Sequence, residues 1–271
     1  MDLISSKSNL KVRQIRDLQQ SSRRRESGLF IAEGIHHVGE AYDAMLAGKV
    51  VIHHILYAPG RLTSIFAQNI IKSFEKLDVP CYPTTKDVFE SFAEKENPQG
   101  ILAVLQQPKS ALEYLDENNF PWGVAIVNPQ DPGNIGAILR TIDAVGASGL
   151  ILLDGGVDPY HTGSVRASLG TIFWYPVIQE SFDEFYKWVK LHGYWLVGAS
   201  AKAKEDYRNV DLIYRPVILL LGSEREGLTD KQKTLCDLLI RLPMRGKATS
   251  LNLAVSAGIL LYAMQESNPD K

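Results

Sequence analysis

Apolar and polar positions alternate along the chain in short runs and helix-spaced stripes, and their order predicts two α/β alternations in succession. In the first, a basic stretch over roughly residues 8–20 predicts a helix and GLFIAEG a strand. HHVGEAYDAMLAG then predicts a helix, VVIHHILYA a strand, TSIFAQNIIKSFEKL a helix, CYPTT a short strand, DVFESFAEK a helix and GILAVLQQ a strand. This is the pattern of a small α/β domain over residues 1–106. The polar stretch QQPKSALEYLDENNFP, punctuated by Pro108 and Pro121, reads as a linker with a helical turn over 107–121.

From Trp122 the second alternation spans residues 122–271. GVAIV, GLILL, YPVI, YWLVGAS, PVILLLG and IRLPM read as strands, and IGAILRTIDAVGA, SVRASLGTIF, FDEFYKWVKLHG, TDKQKTLCDLL and SLNLAVSAGILLYAMQE as helices. The run Val217-Ile218-Leu219-Leu220-Leu221 has no polar alternation, as expected of a central parallel strand covered on both faces. The second part is therefore expected to be an open α/β sheet of about six strands. In such sheets ligands sit beyond the carboxyl ends of the strands, so chemistry is sought in the strand-to-helix loops.

Composition narrows the class. A 45% hydrophobic chain of 271 residues can bury a substantial core. Cys81 and Cys236 have no metal-ligand or CxxC spacing, so neither a disulfide framework nor a zinc site is supported, and no metal site is expected. The first residues lack the apolar core of a signal peptide, and no apolar stretch approaches the roughly 18 residues of a membrane span, so a cytoplasmic protein with no membrane partner is expected. The net charge of -2 does not favour nucleic acid. Its distribution does: over residues 1–25, Lys7, Lys11, Arg13, Arg16, Arg23, Arg24 and Arg25 face only Asp2 and Asp17. Such a cluster can neutralise phosphates, or can be a solvated helix face.

Three loops stand out. Asn128-Pro129-Gln130-Asp131-Pro132-Gly133-Asn134-Ile135-Gly136 leads into the helix bearing Arg140, and its two prolines, two glycines and two asparagines suit a constrained turn. Gly222-Ser223-Glu224-Arg225-Glu226-Gly227-Leu228 follows the most apolar strand, and Leu242 to Asn252 leads into the last helix. No GxGxxG follows a strand, which disfavours a dinucleotide fold. A P-loop ending at Gly246-Lys247 would need glycine at Arg241 and Ser or Thr at Ala248. None of the six histidines lies in these loops, so histidine-centred hydrolysis is disfavoured.

At these loops the chain resembles a known family. NPQDPGNIGAILRTIDAVGASGLIL, LLLGSEREGL and LPMRGKATSLNLAVSAGILLY, in this order over roughly residues 120–265, resemble the three motifs of the SpoU (TrmH) branch of SPOUT RNA ribose 2′-O-methyltransferases. The segment from Lys11 to about Tyr42, with RRRESGLFIAEG, resembles the substrate-binding domain that these enzymes often have. The resemblance implies a SPOUT-type α/β fold, an open parallel sheet with a C-terminal trefoil knot, preceded by a small RNA-binding α/β domain. It also implies S-adenosylmethionine as methyl donor and a homodimer with the site near the subunit interface. Asp143 and Leu253 stand where alanine and valine are frequent in such motifs, and neither removes a proposed catalytic group.

The resemblance assigns catalysis to Asn134, Arg140, Glu224, Ser250 and Asn252. For Arg140 the alternative is a structural partner of an acidic neighbour; as a guanidinium it suits phosphate gripping and alkoxide stabilisation better than proton abstraction. Asn134 could instead form an Asx-turn, Glu224 could be a solvated carboxylate or orient Arg140 or the RNA, Ser250 could cap the last helix and Asn252 could satisfy nearby backbone groups. Donor binding is expected from Gly222, Leu242, Met244 and Leu251, with Ala199 and Ser200 closing over the ligand. Lys7, Arg13, Arg23, Arg24 and Arg25 are candidates for RNA phosphates. The expected reaction is 2′-O-methylation of RNA, ribosomal in preference to transfer RNA. The competing class is a non-catalytic RNA-binding protein of the same fold; a nucleotide-dependent oxidoreductase finds no motif.

Overall fold

A computed structural model describes residues 2–94, 97–210 and 216–266. The chain packs into two compact units. One holds the chain up to Pro108 together with Tyr160–Trp174; the other holds Lys109–Pro159 and the chain from Tyr175 onward.

The first unit contains α1 (Leu10–Leu18), α2 (Ser21–Ser27), β1 (Leu29–Glu33), α3 (Ile35–Leu46), β2 (Ile52–Tyr57), α4 (Ile65–Lys76), β3 (Cys81–Pro83), α5 (Lys86–Glu90) and β4 (Ile101–Gln106). Its sheet runs β1-β4-β2-β3, antiparallel except for β2 with β3. Alternation along β1 sends Leu29 and Ile31 to a core shared with Val12, Ile15, Leu18 and Phe89. Phe30, fully buried, turns to the other face and meets the rings of Tyr160 and Phe173. These rings come from the segment that enters the first unit from between two strands of the second. That segment includes α7 (Thr162–Ala167), and Arg166 and Thr162 both bind the Glu94 carboxylate, Arg166 at 2.7 Å.

SVRASLGTIF, expected as one helix, is broken. α7 stops at Ala167, and Leu169 and Gly170 take φ of 50° and 100°. Only glycine takes the second value cheaply, and a Cβ there would press on the Glu40 side chain at 2.5 Å. α2 was not expected, because SSRRRES has no apolar periodicity. What holds it is Arg24. Its side chain is 1% exposed and donates to the carbonyls of Leu18 and Gln19 at 2.8 and 2.9 Å, satisfying the C-terminus of α1. Arg24 therefore faces inward and departs from the expectation of a phosphate contact, whereas Lys7, Arg13, Arg23 and Arg25 are exposed. Arg24→Ala is expected to destabilise the protein by about 2 kcal/mol, since charged donors are lost to buried carbonyls. Arg23→Ala, which loses only an exposed pair with Glu26, should stay within about 0.5 kcal/mol. Urea unfolding midpoints measure both, and equal midpoints would refute the capping role.

The second unit contains β5 (Trp122–Val127), α6 (Pro132–Val145), β6 (Leu150–Leu153), β7 (Val177–Glu180), α8 (Phe182–Leu191), β8 (Trp195–Ala199), β9 (Glu205–Asp206), β10 (Val217–Leu221), α9 (Asp230–Leu235), β11 (Leu238–Arg241) and α10 (Leu253–Glu266). Its sheet is open and parallel throughout, in the order β7-β6-β5-β10-β8-β11-β9. The α/β class with an open parallel sheet is thus as expected; the strand beyond the expected six is the two-residue β9 at one edge. The stretch 107–121, expected as a linker, buries Leu112 and Phe120 in the core with Ile151, Phe185, Trp188 and Ile218. α8 covers that face of the sheet. On the other, α10 packs against α6 and β10. No helix among the described residues is long and apolar enough to cross a membrane.

Candidate functional site

The loops after β5, β8, β10 and β11 leave the carboxyl edge of one sheet, where a parallel α/β fold gathers its ligand-binding groups. The loop after β5 is shaped by Asn128 at φ 44° and by Asp131, which caps α6 by accepting from the Gly133 N–H at 2.7 Å. Pro132 occupies the first helical turn, where no N–H is needed, and Gly146 closes the other end at φ 72°. The next residues of α6 are anchored inward, so Asn134 is 6% exposed.

One hydrogen-bonded chain ties the three loops together. Asn252 accepts the backbone N–H groups of Ala254 and Val255 on its Oδ1, at 2.8 and 3.3 Å, and so caps α10. This use of the oxygen leaves its Nδ2 to donate to Asn134 Oδ1 at 2.9 Å. Asn134 Nδ2 in turn donates to Glu224 Oε1 at 3.1 Å, and the Gln130 N–H donates to Oε2 of the same carboxylate at 3.1 Å. Each amide orientation is set by the next partner, because a flipped asparagine would oppose two donors or two acceptors. Glu224 is therefore a joint between loops. Among the described residues no hydrogen bond or ion pair joins it to Arg140.

Beside this joint lies a cavity of about 590 Å³, within the roughly 300–1,000 Å³ usual for small-molecule sites. Ala199, Ser200, Gly222, Leu242, Met244 and Leu251 all line it, as do Glu224, Ser250 and Asn252. The lining offers the apolar side chains of Leu221, Leu242 and Met244 to a flat heterocycle and charges of both signs to a polar tail. That donor set fits S-adenosylmethionine, a nucleoside joined to an amino acid. Ser250 is exposed and forms no hydrogen bond among the described residues; Asn252, not Ser250, caps the last helix.

Arg140 stands apart. It is exposed, does not line the cavity, and has no hydrogen bond or ion pair among the described residues. Six residues beyond Asn134, it lies about 9 Å further along the helix and leaves it on another face. An acidic structural partner, the alternative weighed for it, is therefore absent among the described residues. Sequence reasoning missed the part of Gln130, whose donor is a backbone N–H with no side-chain signature, and missed Lys202 and Lys233, which also line the cavity. The described residues contain no group of three or more His, Cys, Asp or Glu side chains able to hold a metal.

Comparison with known proteins agrees with this geometry. Residues 121–262 match the SpoU rRNA Methylase family, and residues 9–103 match the MRM3-like substrate binding domain. The chain is 31% identical to a 23S rRNA (uridine(2479)-2′-O)-methyltransferase of Streptomyces viridochromogenes, over 90% of this chain and 85% of that one. It is 28% identical to the 23S rRNA (guanosine(2553)-2′-O)-methyltransferase RlmP of Bacillus subtilis, over 98% and 100%. Among solved structures, the AdoMet-bound rRNA methyltransferase from Sinorhizobium meliloti superposes with a TM-score of 0.88 at 30% identity, covering 98% of each chain. With the three loops joined around a donor-sized cavity and a family match over more than half its length, the chain belongs to the SpoU rRNA methylase family.

Proposed function

We propose that the protein transfers a methyl group from S-adenosylmethionine to a ribose 2′-hydroxyl of ribosomal RNA. The observation that supports this most is the joining of Asn134, Glu224 and Asn252 at the mouth of a cavity lined by all six residues expected to hold the donor. When bound, S-adenosylmethionine supplies a methyl group on a positively charged sulfur. The protein's own part is orientation and charge. Leu242, Met244 and Leu251 provide apolar walls, Gly222 lets the loop after β10 close tightly, and the Asn252–Asn134–Glu224 chain keeps the loops from moving relative to one another. Arg140, exposed and unpaired, grips the phosphate of the target nucleotide and stabilises the oxyanion as the hydroxyl loses its proton. Lys7, Arg13, Arg23 and Arg25 are the outward cations suited to RNA phosphates. A cytoplasmic protein is part of this reading.

The reading includes the C-terminal trefoil knot, supported by the chain's return from the edge at β9 to the centre at β10, then outward again to β11. It also includes a homodimer. On α10, Val255, Ile259 and Tyr262 are 50%, 36% and 49% exposed at helix spacing, while Leu253, Ala257, Leu260, Leu261 and Met264 are buried on the other side. Light scattering should give twice the 30.1 kDa chain mass; a monomer at micromolar concentration would count against the dimer.

The decisive experiment is transfer of labelled methyl from S-adenosylmethionine to total RNA, with the product mapped by 2′-O-methyl-sensitive reverse transcription. A single ribose site in ribosomal RNA, formed equally well in the presence of a chelator, is the expected result. A product on transfer RNA would move the substrate class. Donor binding without transfer to any RNA, ribosomal precursors included, would favour the non-catalytic RNA-binding protein.

A further inference from the structure

We propose that Lys202 and Lys233 form an anion subsite at one side of the cavity that holds the carboxylate of the methyl donor's amino-acid tail. The inference rests on the reading of the cavity as the S-adenosylmethionine site and adds to it a role for two residues outside the three motif loops. Lys202 lies in the turn after β8 and Lys233 on α9, and both line the cavity.

The charges do not balance there. Lys233 donates to Asp230 at 3.0 Å, and the carboxyl of Asp230 is held below its ordinary range first by Lys233 and further by Lys202. Two ammonium groups thus share one carboxylate, and that carboxylate is fully exposed. The Lys202 side chain has no hydrogen bond or ion pair of its own among the described residues. Around Asp230 the ammonium groups exceed the carboxylate by one charge; Arg225, Glu224 and Glu226 also line the cavity.

The shape of the site selects the anion. The Lys233 side chain is 24% exposed and lines the cavity. Glu224 and Glu226 line the same space. An RNA backbone entering there would bring phosphates against both carboxylates, at a cost. A zwitterionic amino-acid tail meets no such conflict, because its ammonium group can face a carboxylate while its carboxylate faces the lysines.

Calorimetric titration of the full chain with two ligands tests this. S-adenosylhomocysteine has the amino-acid tail; 5′-methylthioadenosine has the same nucleoside and a thioether but no tail. In the Lys202→Gln/Lys233→Gln variant, affinity for S-adenosylhomocysteine should fall about tenfold, one charge-assisted contact discounted for the exposure of Lys202. Affinity for methylthioadenosine should be unchanged, and Lys202→Arg/Lys233→Arg should retain most of the tail's contribution. Equal losses for both ligands, or no loss for either, would overturn the proposal. So would unchanged donor-product affinity with a raised KM for RNA, which would make the lysines phosphate contacts. If the unaltered chain bound neither ligand, the donor site itself would be refuted and the subsite with it, an outcome distinct from the others.

Discussion

Arg140→Ala is expected to lower methyl transfer by about 10²–10³, the range seen when one group that stabilises a developing oxyanion is removed. The substitution should leave the fold and donor binding unchanged. Arg140 is exposed, does not line the cavity and has no hydrogen bond or ion pair among the described residues, so stability should stay within about 0.5 kcal/mol. Affinity for S-adenosylhomocysteine should equal that of the unaltered chain, because Arg140 does not line the cavity. Lysine should restore little, since a point charge on a flexible stem does not reproduce a planar fork of donors. The measurement is initial-rate transfer to the mapped RNA alongside calorimetric titration. Transfer by the alanine variant at more than half the normal rate would remove Arg140 from the reaction.

Gly222→Ala should act in the opposite way, on the fold of the site before its chemistry. A Cβ at this position would lie 2.1 Å from the Gly227 carbonyl carbon and 2.3 Å from the Leu228 nitrogen. Both are backbone atoms. The turn is closed by the Gly227 N–H to the Ser223 carbonyl at 2.9 Å and by the Glu226 N–H to Ser223 Oγ at 3.2 Å, so it cannot open without losing these bonds. Overpacking of this kind costs about 1–3 kcal/mol or more. The displaced turn would take Glu224 away from Asn134 and Gln130, and donor affinity should fall by more than about tenfold, a loss equivalent to one good polar contact. Gly246→Ala serves as the control, because a Cβ there meets nothing within 4 Å. Normal donor affinity in Gly222→Ala would mean that the turn tolerates the shift and does not position Glu224.

These two residues mark what could be read before folding. Local chemistry was legible in part: the uninterrupted Val217–Leu221 run gave the central strand, whereas the helix read from Ile135 starts three residues earlier, at Pro132, because Asp131 caps it. The residue types of the three loops pointed to the cavity lining. Partnership was not legible. Gly222 was expected to bind the donor, but the atoms that forbid a side chain there belong to the chain's own turn. Arg24 sat in a run of three arginines with nothing to distinguish it, yet it alone of the three turns inward to cap α1. Glu224 reaches a backbone N–H from a residue 94 positions earlier, and no local pattern encodes such a contact. Periodicity reports the face of an element, not what will cover it.

The segment Tyr160–Trp174 has a consequence for how this protein is made and how it can be recombined. Phe30 is sealed by Tyr160 and Phe173, so the hydrophobic face of β1 has no full cover until residues well past the middle of the chain exist. On the ribosome, the amino-terminal half must wait for more than fifty further residues beyond Pro108 before its packing is complete. The stretch up to Pro108 is consequently not a portable module. A graft of residues 1–108 alone onto another methyltransferase would bring an exposed aromatic surface with it, and a transplant that worked would have to include the borrowed helix as well.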